Sequence, residues 1–263
     1  MIKVSHEVPL SFLEESRQFN DYDYCLPHLL DQYKIYRDYF FKSKELGRYI
    51  VMDNSLHELG EAYDTDRLLH WVNELEPDEF IVPDVWENMN QTIINAREWS
   101  QVELPEKTTK VAVAQGTRFT EIANCIETFK RLGYEKYALS YGADFYNRVG
   151  SYSPNKDLSK MFGRIDIVNT LHKVGVICNL DRVHLLGCSL PQEFGFYENA
   201  PYIESIDTSN PIMAAIELSK YGMNGLFTKP KANMNTEFTK SLNIQQQLYI
   251  KHNVEFFRKI NNL

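Results

Sequence analysis

The sequence lacks several features that would settle its class at once. Its four cysteines, Cys25, Cys125, Cys178 and Cys188, form no CxxC pair. That leaves neither a zinc signature nor a disulfide framework, and it suits a reducing, cytoplasmic setting. No run of 18 apolar residues occurs, so no transmembrane helix and no membrane partner are expected. The opening MIKVSHEVPLSF has no apolar stretch behind a basic segment, so no signal peptide is expected. No GxGxxG follows the first expected strand and no GxxxxGK[ST] occurs anywhere, which disfavours dinucleotide and P-loop chemistry. Positive charge is in deficit, with 28 Lys+Arg against 36 Asp+Glu and a formal net charge of −8. This argues against a generic polycationic nucleic-acid binder, though not against an enzyme with a local basic groove.

What is present is an ordinary globular composition: 263 residues, 43% hydrophobic and 24% charged. The length suits one large α/β domain or two small ones. Aromatics are plentiful, with 16 Tyr, 15 Phe and 3 Trp, and most are expected in or beside the core.

Short apolar runs alternate with amphipathic stretches. Strands are expected at 22–30, 48–53, 79–84, 110–116, 136–142, 182–188, 202–207 and 224–228. Helices are expected at 31–46, from Thr65 as cap through Leu75, at 88–100, after Gln115 up to Gly133, at about 155–174, at 209–221 opened near Pro211, and at 236–260. Strand–helix alternation implies βαβ units and a parallel sheet. About eight such units point to a single-domain (β/α)8 TIM barrel. An open doubly wound sheet is the runner-up.

Four expected strands end in an apolar run followed at once by a polar residue: IVMD (Asp53), IVPD (Asp84), VAVAQG (Gln115) and ESID (Asp207). Asp53 to Asp84 and Asp84 to Gln115 are both 31 residues, one βα unit each. In a parallel barrel these ends lie on the face that carries active sites. Any one of the acids is equally well a helix cap, Asp207 before Pro211 above all. Gln115, followed by Gly116, makes a poor cap. Three acids and an amide suit glycosidic-bond chemistry, one carboxylate attacking and a second moving the proton. They also suit a Mg²⁺ site in a hydrolase or lyase, and spacing alone does not choose.

The ordered motifs YIVMDNS, EFIVPD, VAVAQG, KYALSYG, VHLLGCS and SIDTSNP span residues 49 to about 216. In this order the chain resembles the tRNA-guanine transglycosylase superfamily, more closely its phage-type branch, which exchanges guanine in DNA for a 7-deazaguanine. The resemblance implies that Asp207 is the nucleophile at the sugar C1′ and Asp53 the general acid/base. It implies that Asp84, Gln115 and Gly116 read the base, with Gly142 and Gly187 as backbone-approach glycines. It further implies DNA and a free 7-deazaguanine base as partners, no cofactor and no metal. Nothing in the sequence builds the CxCxxC…H zinc site of the tRNA branch. Ser140-Tyr141-Gly142 replaces the family's Gly-Gly, and the Arg after the nucleophile segment is missing. A tRNA substrate, a non-catalytic nucleic-acid-binding barrel and a homodimer stay open.

A flipped base reaching a barrel pocket needs a backbone clamp. The stretch after the fifth expected strand interleaves Phe145, Tyr146 and Tyr152 with Arg148, Lys156, Lys160 and Arg164. FTKPKANMN adds Lys229 and Lys231. Both segments are expected to contact nucleic acid through charge and stacking, or else to be a solvated loop and helix face. His57 and Glu58 follow Asp53 in one loop, and His184 reads as a packed strand residue.

Overall fold

The computed structural model describes residues 2–150 and 153–263. Eight strands form one sheet: β1 (Lys3–Ser5), β2 (Asp23–Cys25), β3 (Ile50–Met52), β4 (Glu79–Ile81), β5 (Thr109–Ala114), β6 (Lys136–Ser140), β7 (Arg182–Leu186) and β8 (Ile203–Asp207). Their order is β1-β8-β7-β6-β5-β4-β3-β2. All are parallel with helices between them, and the fold is a (β/α)8 barrel. Backbone packing groups the chain into two compact units, each discontinuous in sequence. One comprises residues 21–140 with 181–184, the other residues up to 20 with 141–180 and 185–263.

The strand count is the expected one, but its membership is shifted. β1 lies where no strand is expected, and 224–228 is not a strand. There the backbone N–H and C=O of Leu226 are both taken by the Gln192 side-chain amide, at 3.1 and 2.7 Å. Asn155 Nδ2 donates to the Phe227 carbonyl. A side chain thus satisfies the polar groups a neighbouring strand would otherwise pair. The expected strand 22–30 stops at Cys25, because Pro27 opens a helix (Pro27–Gln32) at its first turn. Extended backbone at Tyr33 then separates that helix from Lys34–Glu45.

In the 21–140 unit, helix Thr65–Leu75 buries Leu68, Trp71, Val72 and Leu75, an i, i+3, i+4, i+7 stripe. Its cap is Asp64, accepting from Arg67 N, and Thr65 is the first helical residue. Phe80 of β4 packs on Trp99 at 5.2 Å between ring centroids. Each large apolar side chain buried this way contributes about 1.5–3 kcal/mol. Helix Phe119–Arg131 buries Ile122, Cys125, Ile126 and Phe129, and Gly133 beyond it is left-handed at φ +86°.

The first residues of several strands carry a buried ionic layer. Lys136 donates to both oxygens of Glu79 at 2.8 and 2.7 Å. Arg182 and Tyr49 add donors to the same carboxylate at 3.0 and 2.7 Å. Arg48 grips Asp23 with two bonds of 2.8 Å. Polar groups at strand starts therefore satisfy one another.

In the other unit, Asn155 caps helix Lys156–Lys173 by accepting from Asp157 N and Leu158 N. A short helix, Phe145–Val149, precedes it where only a polar loop is expected. These two helices touch through glycine. A Cβ on Gly163 would lie 2.0 Å from the Tyr146 carbonyl oxygen, and one on Gly150 1.9 Å from that of Ser159. The expected helix 209–221 is shorter, Asn210–Ile216, because Leu218 turns left-handed (φ +57°) and Ser219 N caps Ala214 O. The C-terminal helix is Ile244–Ile260, begun by a capping box of Asn243 and Gln246. Residues 236–243 lie outside it apart from the end of a separate short helix, Met234–Glu237. Its Ile250, Val254 and Phe257 are buried, while Leu248 is exposed. Among the described residues no helix is long and apolar enough to cross a membrane.

Candidate active site

The expected polar residues stand at or just past the carboxyl ends of their strands: Asp53 after β3, Asp84 after β4, Gln115 after β5 and Asp207 at the end of β8. All four are buried. The first three belong to one packing unit and Asp207 to the other, and the two sets are described in turn.

Asp84 is held between two amides. Asn54 Nδ2 donates to its Oδ1 and Gln115 Nε2 to its Oδ2, both at 2.7 Å. Each amide is itself fixed. Asn54 Nδ2 also donates to Val82 O, and Asn54 Oδ1 accepts from Leu56 N at 2.9 Å. Gln115 Oε1 accepts from Glu87 N at 3.0 Å. Both amides can therefore present only their nitrogens to Asp84. Burial pushes the Asp84 carboxyl up to about 6, against the pull of Gln115 and Asn54. Asn54 is the residue that pattern reading passes over. The signal was its place beside Asp53 in the same turn.

The two loops that hold this cluster carry left-handed non-glycine residues, Ser55 (φ +63°) after β3 and Glu87 (φ +51°) after β4. Such backbone costs about 1–3 kcal/mol and persists where surroundings impose it. Glu87 gains the bond that orients Gln115. Ser55 N donates to Asp53 Oδ2 at 3.2 Å, and Ser55 Oγ meets buried His28 Nδ1 at 2.8 Å. Burial lowers His28 to about 4, so its ring is neutral at pH 7. His57 sits at the surface near Trp86, with ring centroids 6.1 Å apart. Gly116 is glycine because the Glu121 side chain folds over it. A Cβ would lie 2.6 Å from that of Glu121, whose carboxylate takes Thr117 N at 2.7 Å.

In the second set, Gly187 N donates to Asp207 Oδ1 at 3.3 Å. Gly187 is left-handed (φ +56°), and a Cβ there would strike the Tyr141 ring at 2.5 Å. Both facts require glycine. The residue after the nucleophile candidate is pinned as well. Thr208 N donates to Ser5 O at 3.0 Å, His6 Nδ1 meets Thr208 O at 3.0 Å, and Cys188 Sγ meets Thr208 Oγ1 at 3.2 Å. Gly142 offers its carbonyl to Lys160 Nζ at 2.9 Å.

The expected nucleic-acid contacts divide. Arg164 and Tyr146 are fully buried, which corrects their assignment to a surface clamp. Arg164 pairs with Glu193 at 2.6 Å, and Tyr146 packs on Phe145 with centroids 4.5 Å apart. Lys160 is tied to Gly142 O and lies 3.5 Å from Asp144. Lys229 sits over the Tyr141 ring at 4.4 Å and bonds its hydroxyl. Arg148, Lys156 and Lys231 are at the surface. Tyr152 lies outside the described residues. His184 is a packed strand residue, stacked on Tyr24 at 9° between ring planes. Among the described residues no three His, Cys, Asp or Glu side chains are grouped as metal ligands. Compared with known proteins, the chain matches no family model and no curated protein.

Proposed function

We propose that this chain is a base-exchange glycosyltransferase that replaces guanine in DNA with a 7-deazaguanine through a covalent Asp207 intermediate. The observation that carries the reading is the Asp84 carboxylate, buried and locked between Asn54 and Gln115. Each carboxylate oxygen has two acceptor sites, and the amides use one on each. In this reading the acceptor capacity left on the carboxylate meets the adjacent N1–H and N2–H donors of guanine. Two donors on one edge separate guanine from adenine, which has no such pair.

Asp207 attacks C1′, the C1′–N9 bond breaks, and its electron pair stays on N9. Asp53 gives that nitrogen a proton. Ser55 N–H orients the Asp53 carboxyl through its Oδ2. The incoming base returns a proton to Asp53 as its N9 displaces Asp207 from C1′. Arg148, Lys156 and Lys231 are the surface cations that would meet the phosphate backbone.

The test is incorporation of radiolabelled guanine into guanine-containing duplex DNA and, separately, bulk tRNA, with and without EDTA. Label entering DNA, insensitive to EDTA and lost in Asp207→Asn, is expected. Label in tRNA alone keeps the chemistry and overturns the polymer. Label lost with EDTA makes the exchange metal-dependent, and label in neither polymer counts against exchange and favours a metal-dependent barrel hydrolase or lyase.

A further inference from the structure

Arg164 is buried in the helix Lys156–Lys173 and spends its guanidinium on three acceptors. Nε donates to Glu193 Oε1 at 2.6 Å, Nη1 to Leu186 O at 2.8 Å and Nη2 to Gly187 O at 2.7 Å. The last two are the carbonyls where β7 ends. Glu193 is oriented in turn by Tyr197 Oη at 3.2 Å. Its Oε2 is buried with no hydrogen-bond partner among the described residues. A buried ion pair of this kind stabilises little for its desolvation cost, so its geometry is the feature to explain.

That geometry leads to Asp207. With both carbonyls gripped from one side, the Gly187 peptide has one orientation. Tyr141 N reinforces it by donating to Leu186 O at 3.1 Å, and the Tyr141 ring closes over the glycine. In that orientation the Gly187 N–H faces Asp207 Oδ1.

We propose that Arg164 and Glu193 are positioning residues for Asp207, acting through the Gly187 peptide to fix the orientation of its carboxylate. This rests on Asp207 being the nucleophile. The guanidinium touches no substrate. It sets the rotation of a carboxylate two links away.

The test uses the full chain labelled with 15N-glycine, whose 12 glycines give a sparse amide spectrum. Asp207→Asn assigns Gly187 by its shifted amide. The single variant Arg164→Met risks misfolding, because it strands a buried carboxylate. The double variant Arg164→Met/Glu193→Leu removes both charges and is the working probe. In it the Gly187 amide is expected to move toward its Asp207→Asn position and to exchange with solvent at least tenfold faster, while Gly116 and Gly133 stay put. In base exchange, kcat is expected to fall at least tenfold with the KM for free guanine unchanged. An unmoved Gly187 amide with unchanged kcat overturns the proposal. If the unmodified protein exchanges no base, the proposed function fails, and the amide shift alone still decides whether Arg164 positions Asp207.

Discussion

Gln115 can turn only one end of its amide toward Asp84. Its oxygen is claimed by the Glu87 N–H, so its nitrogen faces the carboxylate at 2.7 Å. A residue expected to contact a base is thereby a holder of Asp84. Gln115→Glu is expected to set two carboxylates against each other, so that one must stay protonated. At pH 7 guanine affinity is expected to fall at least about tenfold, about 1.4 kcal/mol or more for a lost bond to a charged group. Calorimetric titration with guanine checks it, and an unchanged Kd contradicts the assignment of Asp84.

If Asp84 reads guanine as proposed, its raised carboxyl gives that binding an acid limit. Protonation converts an acceptor facing N1–H and N2–H into a donor. Affinity is expected to be flat above pH 7 and to fall as pH drops through about 6, by about tenfold per unit once the acid form dominates. Asp84→Ala is expected to bind weakly at every pH and to show no such limb.

Asp84 and His28 push the stability profile in opposite directions. The folded Asp84 sits above the usual carboxylate value, so the native state binds the extra proton and stability falls as pH rises from about 4 to 6. The folded His28 sits below its usual value of 6.5, at about 4. The unfolded state then binds the extra proton, and stability is lost as pH falls through that window. His28→Asn is expected to remove the acid loss, seen as a smaller drop in Tm between pH 6.5 and 4.5 than in the unmodified chain.

Glu79 serves Lys136, Arg182 and Tyr49 together. Glu79→Ala leaves a buried ammonium without its carboxylate, which costs about 3–5 kcal/mol for a broken buried pair. Lys136→Met is expected to cost less, because Arg182 and Tyr49 still face the carboxylate. Urea denaturation of the two variants gives the order, and the reverse order would contradict this account.

Gly163→Ala is expected to destabilise by more than the usual gain of alanine in a helix, about 1 kcal/mol. Its methyl group would drive into the Tyr146 carbonyl at 2.0 Å. Thermal melting should show a loss for Gly163→Ala.

Much of the fold was legible because the apolar runs before Asp53, Asp84, Gln115 and Asp207 each announce a strand and its end together. β1 was not, since Lys-Val-Ser is too short to show a period and its partner lies far along the chain. The run around Leu226 shows the converse: it has strand composition, but a glutamine amide holds its backbone. Arg164 and Tyr146 were misplaced because a basic and aromatic stretch reads alike whether solvated or buried. Nothing near Arg164 in sequence announces that Glu193 will neutralise it. The orientations of Asn54 and Gln115, set by backbone groups of Leu56 and Glu87, follow only from three-dimensional placement.

The pairing of β1 with β8 sets a timetable. Lys3 aligns with Ser205 and Ser5 with Asp207, partners about 200 residues apart in sequence. A contact of that separation carries one of the largest loop-closure costs the chain can meet and forms late. Thr208 and its pins to Ser5 and His6 wait on the same event. Asp207 therefore sits among the groups whose surroundings depend on this long-range pairing, whereas the Asp84 cluster draws on segments close in sequence. A circular permutant that joins β8 directly ahead of β1 would shorten that wait and assemble Asp207 early.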